Sequence, residues 1–520
     1  MTLKDILKLD TPTGPPDDPR ATARALNSLT NSQVYEQSIT LQDGCAYFIA
    51  RRGAEKLVGV AYGEGPPEHL ATLAGEAGEA EGVRFRLDDA DPESADFLRS
   101  SLEFLNPRPI GLATSLGLGD RLGIATAGHA RAVRGTGLAT YFCQQSIREM
   151  TRTGRTPRQV QATASLGALQ AGWRGGYGSD ADHLKTPSDV DYCLDAGFTM
   201  FTFDPGDHVD DEADALDAAG LRSRYTALPW ADLEISPDDC RALYADKSFA
   251  LKDGPSLEIS EEALLRAAAK YAPAVAHVVS MYRYLAEKAR KGRFEMEVSV
   301  DETNSPTTVA EHYYVAAELR RLGLEWVSLA PRFVGRFEKG VDYIGDLEEL
   351  RAALNGHAAV ARTLGPYKLS IHSGSDKFSV YPLAAEAAGG LVHVKTAGTS
   401  YLEALRALAA GADRELFREI LAFALDRYEE DKKTYHVSAD MGKALKPDAL
   451  ADDELAPAMD QFDTRQALHV TFGSVLNEKD ERGELRFKTR MMSALAHNEE
   501  LHYEILGRHI VRHAAPFAKG

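Results

Sequence analysis

The sequence predicts an α/β protein: a (β/α)8 barrel of the TIM type with a small α+β unit before it and a helical extension after it. Two observations carry this reading. From about residue 109, short apolar runs alternate with polar loops and helical stretches, and eight such runs can be counted. Their polar residues gather at the C-terminal ends, where the loops of such a barrel build a site. Length agrees, because 520 residues at 44% hydrophobic can bury a large core divided among two or three units.

Residues 1–108 form the α+β unit, with strand-like CAYFIARR, KLVGVAYG and VRFRL and a loop-like AGEAGEAEGVR between the last two. Residues 109–410 form the barrel. Its expected strands are 110–115, 139–145, 175–183, 198–205, 294–300, 325–333, 367–374 and 391–398, with helices such as EHYYVAAELRRLG between them. The fourth connection is too long for one loop and one helix, so residues 206–290 are expected to hold an insertion that caps one end of the barrel. Residues 411–520 read as helix and should pack against the barrel or a second subunit, which leaves a homo-oligomer open.

Charge and cysteine content exclude several classes of function. A formal net charge of −19 would repel a polyphosphate backbone, so nucleic acid is not expected as a partner. Cys45, Cys143, Cys193 and Cys240 lie far apart, which suggests neither a disulfide framework nor a cysteine zinc site and fits a reducing cytoplasm. No apolar segment has the length of a membrane span, and the N-terminus lacks a signal-like core.

What remains is a set of polar groups that a core should avoid. In FEMEVSVDE, Glu295, Glu297, Ser299 and Asp301 share one face of a strand; Lys368, Ser370 and His372 do so in the seventh run, His393 and Lys395 in the eighth. The third run adds Asp180, Asp182 and His183, and the fourth ends in Asp204, Asp207 and His208. Imidazole and carboxylate from several strand ends of one barrel suit a divalent cation such as Zn, Mn, Ni, Co or Fe. Their spacing does not assign which groups bind metal and which move protons. LGLGDRLG after the first run falls short of a dinucleotide fingerprint, since Leu122 stands where the third glycine belongs; Arg121 there, and the loops SGSDK and KTAGTS, suit an anionic substrate.

With GDRLGIAT, QQSIRE, DADHLK, FTMFTFDPGDHV, FEMEVSVDET, IHSGSDKFSVYP and HVKTAGTSYLEA in this order, the chain resembles the bacterial tagaturonate epimerase family. The resemblance implies a metal-dependent enzyme that interconverts D-tagaturonate and D-fructuronate. It implies Asp182 as proton acceptor, Glu297 as proton donor, and His183 and His372 as metal ligands; His393 is the candidate third ligand. Arg121, Gln145, Asp376, Lys377 and Lys395 are the expected contacts to the ketouronate substrate.

The two ketouronates differ at the carbon next but one to the ketone carbon, whose C–H neither the ketone nor the carboxylate acidifies. Direct deprotonation is therefore disfavoured, and retro-aldol cleavage with re-addition to the other aldehyde face is the expected route, with two carboxylates on opposite sides of the reacting carbon. A related ketose or uronate isomerase or aldolase would use the same groups. A binding protein for sugar acids is the reading from another class.

Overall fold

The structure, a computed structural model, describes residues 2–8 and 13–518. Eight parallel strands close a barrel in chain order: β1 (Ser115–Gly117), β2 (Ala139–Ser146), β3 (Gly178–Leu184), β4 (Met200–Phe203), β5 (Glu295–Val300), β6 (Ser328–Pro331), β7 (Lys368–Ile371) and β8 (Val392–Lys395), with β8 paired to β1. The expected strands overlap these, although the third and sixth start later, the last three are shorter, and the first meets its expected range only at Ser115. Ile110 and Gly111 stay outside the ladder because their N–H groups donate to the Glu295 carboxylate at 2.9 and 2.7 Å.

Local sequence starts the surrounding helices. Thr156-Pro157 and Thr186-Pro187 each place a capping threonine before a proline in the first turn, and Gln159 and Asp189 complete reciprocal caps for Pro157–Gln170 and Pro187–Leu194. Thr308 and Glu311 do the same for Val309–Arg321. The long connection after β4 is resolved by the 28-residue helix Glu261–Lys288, which packs against Val309–Arg321 and Pro187–Leu194 and so takes a place in the helical ring. The shorter helix Ala218–Thr226 packs against it. Residues 206–290 contribute nothing to the lining of the central cavity, so the stretch widens the outer wall where a cap was expected.

In the N-terminal unit the strand Cys45–Arg52 is buried on both faces. Cys45, Tyr47 and Ile49 join the core shared with the barrel, whereas Ala46, Phe48 and Ala50 face a separate cluster with Leu26 of helix Pro19–Thr30. The segment expected as a loop is an edge strand, Glu76–Ala80, paired antiparallel with Val83–Asp89. Glu81 and Gly82, at φ 53° and 73°, make the two-residue turn that favours a hairpin, while the glutamates keep the edge polar. At the other end of the chain, helix Glu499–Ala514 packs on Thr126–Val133 and Thr399–Ala407. A second apolar cluster joins Leu402 and Leu405 to Phe417, Ile420, Leu468 and Phe472, so the extension is built into the barrel wall. Among the described residues no helix is long and apolar enough to cross a membrane.

Candidate active site

The barrel interior is polar in layers. At its base the Glu295 carboxylate accepts from the two N–H groups named above and from the Tyr141 hydroxyl at 2.6 Å. Lys368 donates to Ser115 Oγ at 3.1 Å, and the same hydroxyl lies 2.9 Å from His393 Nδ1. Burial holds the His393 imidazole neutral, well below its ordinary range.

Above this layer Lys395 gathers the charge. Its Nζ lies 2.9 Å from Asp180, 2.7 Å from Asp182 and 2.8 Å from Glu297, and donates to Thr202 Oγ1 at 2.7 Å. Against the cost of burial, these three carboxylates hold the ammonium well above the usual lysine range. Burial raises Asp180 to about 6 with Lys395 partly offsetting it. For Asp182, burial is outweighed by His183 and Lys395; for Glu297, it is outweighed by Lys395 and His372. Both stay well below the carboxylate range.

At the C-terminal rim two backbone irregularities set which side chains enter. Phe201 pairs with Ala181 and Phe203 with Leu184, so Asp182 and His183 both stand opposite Thr202. His183 takes a left-handed φ of 55°, which costs roughly 1–2 kcal/mol for a residue with a Cβ and brings two consecutive side chains to the site. In β2 the pairing register slips between Tyr141 and Cys143. Tyr141 reaches Glu295, and strict alternation would next bring in Cys143 and Gln145. The slip brings in Gln144, whose Nε2 donates to Asp182 at 2.9 Å. Gln145 is buried, and neither amide atom has a hydrogen-bond partner among the described residues.

Donor atoms of His183, Asp301 and His372 lie within 4.8 Å of one another, as do those of Asp182, Glu297 and His372. The first set is what a divalent transition metal takes: two imidazoles and a carboxylate. Each imidazole has a carboxylate behind it. Glu297 lies 2.7 Å from His372 Nε2, and Asp182 lies 2.9 Å from His183 Nδ1. Such partners fix the tautomer and leave the other ring nitrogen for a cation. Among the described residues the buried His372 Nδ1 has no hydrogen-bond partner, although Asp301 is 3.1 Å away, so the donors fit a metal. Burial works against the His372 imidazolium, but Asp301 and Glu297 raise it to about 10 when no cation competes for the ring. His393, one layer below, belongs to neither set.

A cavity of about 490 Å³ opens above this cluster. Arg121, Asp182, His183, His372 and Lys395 of the expected site residues line it; Gln145, Glu297, Asp376, Lys377 and His393 do not. Glu297 is fully buried beneath His372 and Lys395. It and Asp182 share one ammonium, so the two carboxylates stand side by side where opposite sides were expected. The reason is Lys395, which draws both toward the barrel axis. Asp376 is taken up by Arg465 at 2.9 Å and by His509, which burial notwithstanding keep it well below the carboxylate range. The Lys377 ammonium donates to the carbonyls of Glu338, Val341 and Ser375.

Several cavity residues escaped the sequence reading. Gln144 is hidden by the β2 slip, and Lys339 lies in an irregular loop after β6. Thr434, Tyr435, His436 and His469 come from the extension, far along the chain from any strand end. Asp301 carried a signal, its place on the charged face of β5, and so did Ser373, Ser375, Ala397 and Gly398, which lie in the loops SGSDK and KTAGTS.

Residues 35–516 match the family model described as tagaturonate epimerase. The chain is 42% identical over 481 residues to a tagaturonate/fructuronate epimerase of Thermotoga maritima, covering 92% of this chain and 96% of that one. The native crystal structure of the fructuronate-tagaturonate epimerase of Cohnella laeviribosi superposes with a TM-score of 0.88 at 35% identity, covering 96% of this chain and 99% of that one. A crystal structure of the same protein with one glycerol bound gives 0.88 at 34% with the same coverage. The chain belongs to the tagaturonate epimerase family.

Proposed function

We propose that this enzyme interconverts D-tagaturonate and D-fructuronate by breaking and re-forming the carbon–carbon bond beside the inverted carbon. The single observation that carries this reading is the ionised Asp182 held at 2.7 Å from Lys395 on the cavity wall, next to a His183–His372–Asp301 donor set. In the proposed reaction Asp182 accepts the proton of the hydroxyl on the carbon to be inverted. The bond toward the ketone-bearing half then breaks, its electron pair passing to that half as an enediolate, and the other half becomes an aldehyde. After the aldehyde presents its other face, the bond re-forms, the new alkoxide takes a proton from the Lys395 ammonium, which Glu297 holds at 2.8 Å, and the proton on Asp182 returns to Lys395 at 2.7 Å. Protons and electrons balance, and no redox partner is needed.

His183, His372 and Asp301 would hold a divalent cation, whose charge polarises the ketone oxygen when it is bound. Gln144 orients Asp182, and the buried Glu297 orients His372. Thr434 and Tyr435 are tied to Arg152 of the barrel and bring the extension over the mouth, which shields the cleaved halves from water.

The test is incubation of the purified protein, reconstituted in turn with Zn, Mn, Ni, Co and Fe, with D-tagaturonate, followed by chromatography. Accumulation of D-fructuronate supports the reading. Net release of three-carbon products in its place would make the protein an aldolase, and no turnover with any of the five metals would overturn the epimerase reading for this chain.

A further inference from the structure

The cavity wall also carries cations. Lys339, Arg148 and Arg121 line it with Glu149, Glu302 and Glu338 among them, and the two arginines lie over Tyr435 and Phe472 of the extension. Lys339 is half-buried, and its Nζ donates to Ser373 Oγ at 2.7 Å. Among the described residues it has no carboxylate within ion-pair distance. Burial and the neighbouring Arg148 push its ammonium below the usual lysine range. Arg121 gives Nε and Nη2 to Glu149 at 3.0 and 2.9 Å, and its buried Nη1 has no partner among the described residues. Arg121 is held by Glu149 and Arg148 lies 3.8 Å from Glu302, so the uncompensated charge is that of Lys339, and a cationic donor facing a cavity without an anion is costly until one arrives.

The loop that presents Lys339 is braced on three sides. Lys377 donates to the carbonyls of Glu338 and Val341, and Arg465 Nε donates to that of Gly340 at 2.7 Å. The Glu338 carboxylate accepts from Ser438 N–H at 2.9 Å, from its hydroxyl at 2.8 Å and from Gln466 Nε2 at 2.8 Å. Gly340 sits at φ 74°, a conformation that a side chain would strain. A solvated lysine needs no such support, and a receptor for one oriented anion gains affinity from it.

We propose that Lys339, assisted by Arg148 and the free Nη1 of Arg121, receives the carboxylate of the ketouronate and is the residue that separates an acid sugar from the neutral ketose of the same configuration. This rests on the functional reading above. It also gives the carboxylate a task during the reaction, because that group belongs to the half that becomes the aldehyde. Anchored at Lys339, this half keeps its place while its aldehyde carbon turns over.

The test compares full-length wild type with Lys339→Met and Lys339→Arg, all folded by circular dichroism and loaded with the same metal. Binding of D-tagaturonate is read by calorimetry, and kcat/KM is measured on D-tagaturonate and on D-tagatose, in which a hydroxymethyl group replaces the carboxylate. Lys339→Met should weaken binding and lower kcat/KM on the ketouronate by about 10- to 100-fold, mostly through KM. The loss should exceed that on the ketose by about tenfold or more, and Lys339→Arg should recover most of it. Equal losses on both sugars, or undiminished binding of the ketouronate, would overturn the inference. A wild type that binds the ketouronate through Lys339 without inverting it would leave this inference standing and remove the functional reading.

Discussion

At the scale of single residues, the account depends on how Asp182, Glu297, His183 and His372 divide their work. Asp182 faces the cavity and stays ionised, so Asp182→Asn should lose roughly 10²-fold or more in turnover while metal content, measured by emission spectrometry, is kept. Glu297 lies under His372 and beside Lys395, so Glu297→Gln should slow turnover comparably and also weaken metal affinity by about 10- to 100-fold, the usual effect of losing the carboxylate behind a ligating histidine. His183→Ala and His372→Ala should lose metal and activity together with the fold intact. Near-wild-type turnover in Asp182→Asn would make that carboxylate structural. The chemistry of these residues could be read from strand ends rich in His and acid. Their geometry could not, because the left-handed His183 and the slip in β2 decide which neighbours point inward, and neither leaves a mark in the pattern of side chains. That is why Gln145 was expected where Gln144 stands.

At the scale of elements, the loop after β7 supports the site where contact with substrate was expected. Lys377, its burial lowering the ammonium to about 7, spends its donors on the loop that carries Lys339. Lys377→Met should therefore speed amide exchange across residues 338–341 and raise KM more than it lowers kcat; unchanged exchange there would deny it this positioning role. Asp376 fastens helix Glu499–Ala514 to the barrel through His509, and its backbone N–H donates to His513 at 3.0 Å. Asp376→Asn leaves Arg465 without one of its two acidic partners, Glu403 lying 3.4 Å away, and should cost about 3 kcal/mol or more in a denaturant titration. The strands of the barrel were legible because apolar runs and polar ends repeat with one period. The tie between SGSDK and the last helix was not, since it joins residues more than a hundred positions apart through buried charge, which local pattern does not encode.

At the scale of the whole molecule, the protein buries in the neutral state several histidines that do not line the cavity. Burial lowers His129, His357 and His502 to about 4 and His513 to about 3. Each folded value lies below the unfolded value near 6.5, so the unfolded chain binds more protons between them and stability falls as the pH drops through this window. Measured in His372→Ala, which lacks the imidazole whose raised value opposes this trend, the melting temperature should decrease by several degrees from pH 7 to pH 5, and a flat profile there would mean that these imidazoles are not held neutral. The same architecture joins a charged barrel interior to a cavity partly lined by the extension, where the proposed cleavage and rejoining would take place. That central claim is tested most directly by the isotope content of the inverted carbon after reaction with D-tagaturonate in deuterated water. Cleavage beside that carbon leaves its hydrogen on the aldehyde, so D-fructuronate should carry no deuterium there. Deuterium at that position would show direct deprotonation and contradict the account.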